Sequence, residues 1–86
     1  MKSHATRSFW AAYERLPAAT RRLADKQIRL WRENPRHPSL RFRRVGRYWS
    51  ARVSQEVRVL GVLDGDVVVW FWIGSHDEYE RLVGSA

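Results

Sequence analysis

The sequence contains no cysteine. That excludes disulfide staples and Cys-based metal sites, so an 86-residue chain must hold its fold by packing alone. Such a chain suits a reducing cytoplasm. Its three histidines, His4, His37 and His76, are scattered without the spacing of metal ligands. Asp77 and Glu78 make a poor substitute, so no metal is expected. There is no Gly-rich phosphate loop, Ser75 lacks the strained elbow of a nucleophile, and no cofactor is expected. No apolar run approaches the ~20 residues that cross a bilayer. "MKSHATRSFW" has one Lys and no long apolar segment behind it, so it lacks the layout of a secretory signal. Lysine itself is nearly missing: of 16 basic residues, 14 are Arg.

What is there points to one small domain spanning residues 1–86. Hydrophobic residues make up 44% of the chain and five are Trp, enough apolar bulk to argue against disorder. The net charge is +7, which points to nucleic acid or an acidic protein partner. Arginine grips phosphate through a planar fork, which a merely solubilising surface does not require. Arg15, Arg21, Arg22, Arg29 and Arg32 fall where charges simply solvate helices.

From Thr6 to Asn34 the period is helical. Phe9, Ala12, Tyr13 and Leu16 recur at steps of three and four, and Leu23, Gln27, Leu30 and Trp31 resume the pattern after Pro17. Proline is tolerated in a first turn but not inside a helix, so two helices meet at Pro17, and Pro35 ends the second at Asn34. "NPRHPS" is a connector, with His37 exposed in it and His4 incidental. From Leu40 the period becomes two: "LRFRRV", "YWSARV", "VRVLGVL" and "VVVWFWI", separated by Gly46-Arg47, Ser54–Glu56 and Asp64-Gly65. Ser75 and Glu78 form a capping box that opens a short last helix. The expected fold is α+β: two N-terminal helices packed on one face of a four-stranded antiparallel meander, then a short C-terminal helix.

Tight turns would fix registers. A two-residue loop at Gly46-Arg47 pairs Val45 with Tyr48, Arg43 with Ser50 and Arg41 with Arg52. A three-residue loop at Ser54–Glu56 pairs Arg52 with Arg58. Arg41, Arg52 and Arg58 would then form one row, with Arg43 on the same face, away from Trp49 and Trp72. Like charges opposite each other destabilise a sheet, so the row implies an anion or acidic partner; a one-residue slip would dissolve it. A two-residue turn at Asp64-Gly65 sets Leu63 against Asp66 and Ile73 against Glu56, and brings His76 near the row. All five Trp read as core, with Trp49, Trp70 and Trp72 on one face. Phe71 lies on the arginine face beside Arg58 and is the aromatic to watch for base contact.

"WFWIGSHDEYE" carries the most chemically capable cluster. Ser75, Asp77 and Glu78 are what any helix start selects for capping and for the dipole. His76 and Tyr79 are not explained that way. They share a helix face, and imidazole suits proton transfer near neutral pH.

From Phe9 to Val83, "LP" opening a helix, "NPRHPSLRF", "YWSARV", "VRVLGV" and above all "IGSHDEYERL" resemble the RelE/ParE superfamily of bacterial toxins, nearest its RelE-like members with a His-Asp-Glu-Tyr ending. The resemblance implies a twisted antiparallel sheet with packed helices, an antitoxin that wraps the toxin, and one of two targets. RelE-type members cut mRNA on the ribosome; ParE-type members inhibit DNA gyrase. Carried over by position, Arg52 and Arg58 hold the scissile phosphate and His76 and Tyr79 stand at catalytic positions. Ser50 replaces a Lys for which Arg43 would substitute, Val57 replaces a Tyr, and no N-terminal strand is evident before Thr6. The implied activity is a metal-independent endoribonuclease that uses the RNA 2′-hydroxyl as nucleophile. Arg41, Arg43, Arg52 and Arg58 would bind phosphate, and His76 would serve as base or acid. The alternatives are a gyrase inhibitor or an inactive basic nucleic-acid-binding relative.

Overall fold

The first strand sits where no periodicity marks one. In the computed structural model, which describes residues 1–84, β1 (Lys2–Ala5) pairs in parallel with the last strand, His4 opposite Val69 and Ala5 opposite Trp70. The sheet is therefore five-stranded and mixed, in the order β1-β5-β4-β3-β2, not a four-stranded meander. "KSHA" has only one apolar residue and no alternation to read. Its place follows from β5, whose apolar outer edge needs a partner for its backbone groups.

The two helices follow the expected break. Thr6 caps α1 (Arg7–Glu14), its hydroxyl accepting from the Phe9 N–H at 3.2 Å. Pro17 precedes α2 (Ala18–Glu33), and Asn34 ends it. Phe9 of α1 and Ala24, Gln27 and Trp31 of α2 are buried. Trp10 and Leu23, expected inside, are exposed, Trp10 by 50%. A helix face only about 100° wide reaches the sheet, and Phe9 and Ala24 take it. The connector is less idle than its composition suggests. His37 accepts from the Ser39 N–H at 3.2 Å and so caps a 3₁₀ turn, Pro38–Leu40.

Strands β2 (Arg43–Val45), β3 (Tyr48–Arg52) and β4 (Val57–Asp64) keep the expected registers, Val45 with Tyr48, Arg43 with Ser50 and Arg52 with Arg58. Arg41 departs from them. It ends the 3₁₀ turn in the left-handed region, φ 44°, and so never reaches β2 to pair with Arg52.

β5 (Val67–Ser75) departs further. Asp64 pairs with Val67, so the turn is Gly65-Asp66, with Gly65 at φ 62°. Beyond Gly61↔Trp70 the next pair is Leu60↔Trp72, which leaves Phe71 as an extra residue in a β-bulge. Ile73 consequently faces Val59 rather than Glu56. The bulge also reverses parity: Trp70 joins the core, whereas Trp72 stands on the arginine face. A Cβ on Gly61 would meet Trp70 Cε3 at 2.8 Å and the Val69 carbonyl at 2.9 Å, so only glycine lets the indole lie this close.

The core lies between the helices and one sheet face: Phe9, Ala24, Trp31, Leu40, Ala51, Val53, Val59, Val68, Trp70 and Ile73. Trp31 packs edge-on to Trp70 at 5.2 Å and to Phe42 at 5.5 Å. Helix α3 (His76–Gly84) returns over the opposite face, not the face that the first two helices cover. Tyr79 is buried there, outside the main cluster. No described helix is long and apolar enough to cross a membrane.

Candidate nucleic-acid interface

Alternation aims the arginines. Ala51, Val53 and Val59 are buried in the core, so Arg52 and Arg58, their strand neighbours, project from the other face, and Arg43 joins them through its pairing with Ser50. Arg41 arrives from the connector. With Phe42, Ser50, His76, Tyr79 and Glu80 they line a cleft of about 460 Å³. A second bay of about 400 Å³ shares Arg41, Arg52, Arg58 and His76 and adds Gln55, Glu56 and Asp77. All six residues singled out in the sequence thus meet in one place, although Arg41 does so without the strand pairing expected of it. Among the described residues, none of the four cleft arginines forms an ion pair with a carboxylate.

The β3–β4 turn organises both halves of the site. Arg58 Nη1 donates to the carbonyls of Ser54, Gln55 and Val57, which fixes the guanidinium against the turn while its other donors stay free. The same turn receives the start of α3: the His76 N–H donates to the Glu56 carbonyl at 2.7 Å. Ser75 accepts from the Glu78 N–H at 3.2 Å and its hydroxyl lies 3.4 Å from the Glu78 carboxylate, which completes the cap. The His76 backbone and the Arg58 guanidinium are therefore held by carbonyls of one short loop.

Burial, and then the charge of Arg52, hold the Arg58 guanidinium below its ordinary range; Tyr79 acts in the opposite sense, and Arg41 and Arg43 add to the lowering. The cleft is electrostatically loaded towards an anion. The His76 ring lies 5.7 Å from that of Tyr79, tilted by 35°. Its Nε2 is 3.3 Å from Glu80 Oε1. Glu80 went unremarked in the sequence, where the readable signal was its place four residues after His76 on one helix face. Phe71 does not line the cleft. It packs against Tyr48, ring centroids 5.3 Å apart, and Trp72 instead covers Gly74. Among the described residues no three His, Asp or Glu side chains cluster closely enough to hold a metal ion.

No family model matches the chain, and no curated protein matches its sequence. Solved structures do. A YoeB/ParE toxin from Agrobacterium tumefaciens superposes with a TM-score of 0.69 at 24% identity, over 88% of this chain and 99% of that one. A chain of the RelB-RelE antitoxin-toxin complex from Methanococcus jannaschii gives 0.72 at 11% identity, over 92% and 96%. YafQ from E. coli strain BL21(DE3) gives 0.68 at 12% identity, over 91% and 96%. Almost the whole of each neighbour is covered, and the chain accordingly has the fold of the RelE, ParE, YoeB and YafQ toxins.

Proposed function

We propose that the protein is the toxin of a bacterial toxin-antitoxin pair, of the RelE-like kind with a His-Asp-Glu-Tyr ending, and that it cleaves mRNA on the ribosome in the cytoplasm. The observation that carries this reading is the convergence of Arg41, Arg43, Arg52 and Arg58 with His76 and Tyr79 in one cleft. RNA brings its own nucleophile. The 2′-oxygen attacks phosphorus, the bond to O5′ breaks, and a 2′,3′-cyclic phosphate and a 5′-hydroxyl result. What the protein must supply is alignment, cations around the phosphate, a proton acceptor and a proton donor. Arg52 and Arg58 hold the phosphate between neighbouring strands, Arg43 serves where Ser50 offers no charge, and Arg41 extends the cationic wall. His76 and Tyr79 move the protons, and no step calls for a metal. Ribosome dependence fits an open site built around a phosphate cradle, with the messenger presented by something larger.

The partner on this reading is an antitoxin with an acidic segment. Two surfaces suit it: the arginine cleft, and an apolar groove of about 530 Å³ between β1, α1 and α2 where the half-exposed Trp10 stands near Arg29 and Arg32. The second reading, a gyrase-inhibiting binder, draws on Ser50, which is buried and leaves β3 without a second cation.

The test is induced expression in bacteria with separate readouts of translation and DNA damage, followed by purified protein in a translation extract. Cleaved mRNA, lost on His76→Ala and on Arg58→Ala with the fold intact, supports the nuclease. A DNA-damage response with translation intact selects the gyrase reading, and native-rate cleavage by both variants removes the site assignment.

A further inference from the structure

One contact in the cleft has no part in the scheme above: the Glu80 carboxylate, 3.3 Å from Nε2 of His76. We infer that Glu80 is a positioning residue that fixes the His76 tautomer, holding the proton on Nε2 and leaving Nδ1 as the atom that accepts the proton of the RNA 2′-hydroxyl. The inference rests on the nuclease reading and resolves what that reading leaves open, whether His76 begins the reaction as base or as acid.

Among the described residues Glu80 is the one carboxylate lining this cleft; Glu56 and Asp77 line the adjoining bay, but it is Glu80 that meets the imidazole. A carboxylate beside an anion site weakens phosphate binding, so binding alone does not explain its position. Its place does suit the imidazole: a helix brings residues four apart onto one face, and the Tyr79 ring, 5.7 Å away, limits how the imidazole turns. An ionised carboxylate only accepts hydrogen bonds, so the nitrogen facing it is the one that carries hydrogen. A neutral imidazole has one such nitrogen, and the other is left basic. Proton transfer from the 2′-oxygen to Nδ1 then produces an imidazolium whose positive charge lies next to Glu80. The pair is stabilised as the reaction proceeds, while the four arginines offset the charge building on phosphate. Tyr79 gives the proton that O5′ takes up, and solvent returns the two groups to their starting forms.

Two substitutions separate this from a passive surface charge. Glu80→Gln keeps an oxygen that accepts from Nε2, whereas Glu80→Ala removes it. In wild type and Glu80→Gln, nitrogen-15 NMR of the full chain should show the neutral form of His76 with its proton on Nε2, assigned by its loss in His76→Ala; in Glu80→Ala the Nδ1–H tautomer should gain population. Single-turnover cleavage on programmed ribosomes should slow about tenfold in Glu80→Ala, part of the whole general-base effect, and recover in part in Glu80→Gln, which keeps the orienting oxygen but not the charge beside the imidazolium. RNA binding should tighten in both, since a negative charge leaves the cleft. Wild-type His76 carrying its proton on Nδ1, or a Glu80→Ala protein that cleaves at or above the native rate, would overturn the inference. Failure of wild-type cleavage, with the Nε2–H tautomer still dependent on Glu80, would leave the positioning contact standing and count against the nuclease instead.

Discussion

Replacing Arg52 by Met should make the fold more stable and the cleft less able to hold an anion. Arg52 and Arg58 are direct partners across β3 and β4. Taking about 7 Å between splayed guanidiniums and an effective dielectric of about 50, two unit charges repel by about 1 kcal/mol. The lowering of the Arg58 pKa, with Arg52 the first charge after burial to cause it, has the same sign. A base whose folded pKa lies below its unfolded value is penalised for being charged in the fold. That penalty is present throughout the range below the folded pKa and is relieved only as pH rises through it, far above neutrality. At pH 7 the pair therefore costs stability. Met keeps the unbranched stem, and the bond that Gln27 Nε2 donates at 3.4 Å goes to the Arg52 backbone carbonyl, which the substitution keeps. A gain of about 0.5–1 kcal/mol corresponds to a melting temperature higher by about 3–6 °C in a chain of this size. Thermal unfolding followed by circular dichroism in low salt measures it. In 1 M NaCl, where the screening length is about 3 Å, most of the advantage should vanish. If Arg52→Met melts below the native protein at both salt concentrations, the two guanidiniums do not repel and the electrostatic account of the cleft fails.

Sulfate should raise the melting temperature of the native protein more than chloride at equal ionic strength: 100 mM of an anion bound at about 10 mM adds about 1.4 kcal/mol, and the excess should shrink in Arg58→Ala. Gly61→Ala should cost about 1–3 kcal/mol, read from a denaturant midpoint, because its Cβ would press on Trp70, Val68 and the Val69 carbonyl; an unchanged midpoint would mean that the bulge relaxes freely. Trp10→Ser should cost about 1–3 kcal/mol, the two edge-on contacts with Phe9 and Tyr13, and should weaken capture by a co-expressed antitoxin if the groove beside it is the docking surface.

Local order in the sequence determined the two helices and their break at Pro17, the period-two strands, the pairing of β2, β3 and β4, and the cap at Ser75, because each rests on interactions between near neighbours in the chain. The Arg52–Arg58 pairing was legible for that reason: a short turn leaves few registers to choose from. Only the tertiary structure decided the rest. β1 carries no pattern of its own and exists because β5 offers an edge. The bulge at Phe71, signalled at most by a glycine inside β4, turns Trp72 to the arginine face and adds one residue to the two-residue shift that the Gly65-Asp66 turn had already given β5 against the expected register. Arg41 reaches the cleft through a left-handed turn set by Pro38. Helix α3 crosses to the face opposite α1 and α2, and that crossing is what lays His76, Tyr79 and Glu80 against the arginines. Contacts between residues far apart in the chain depend on how whole elements pack, and no short-range pattern encodes them.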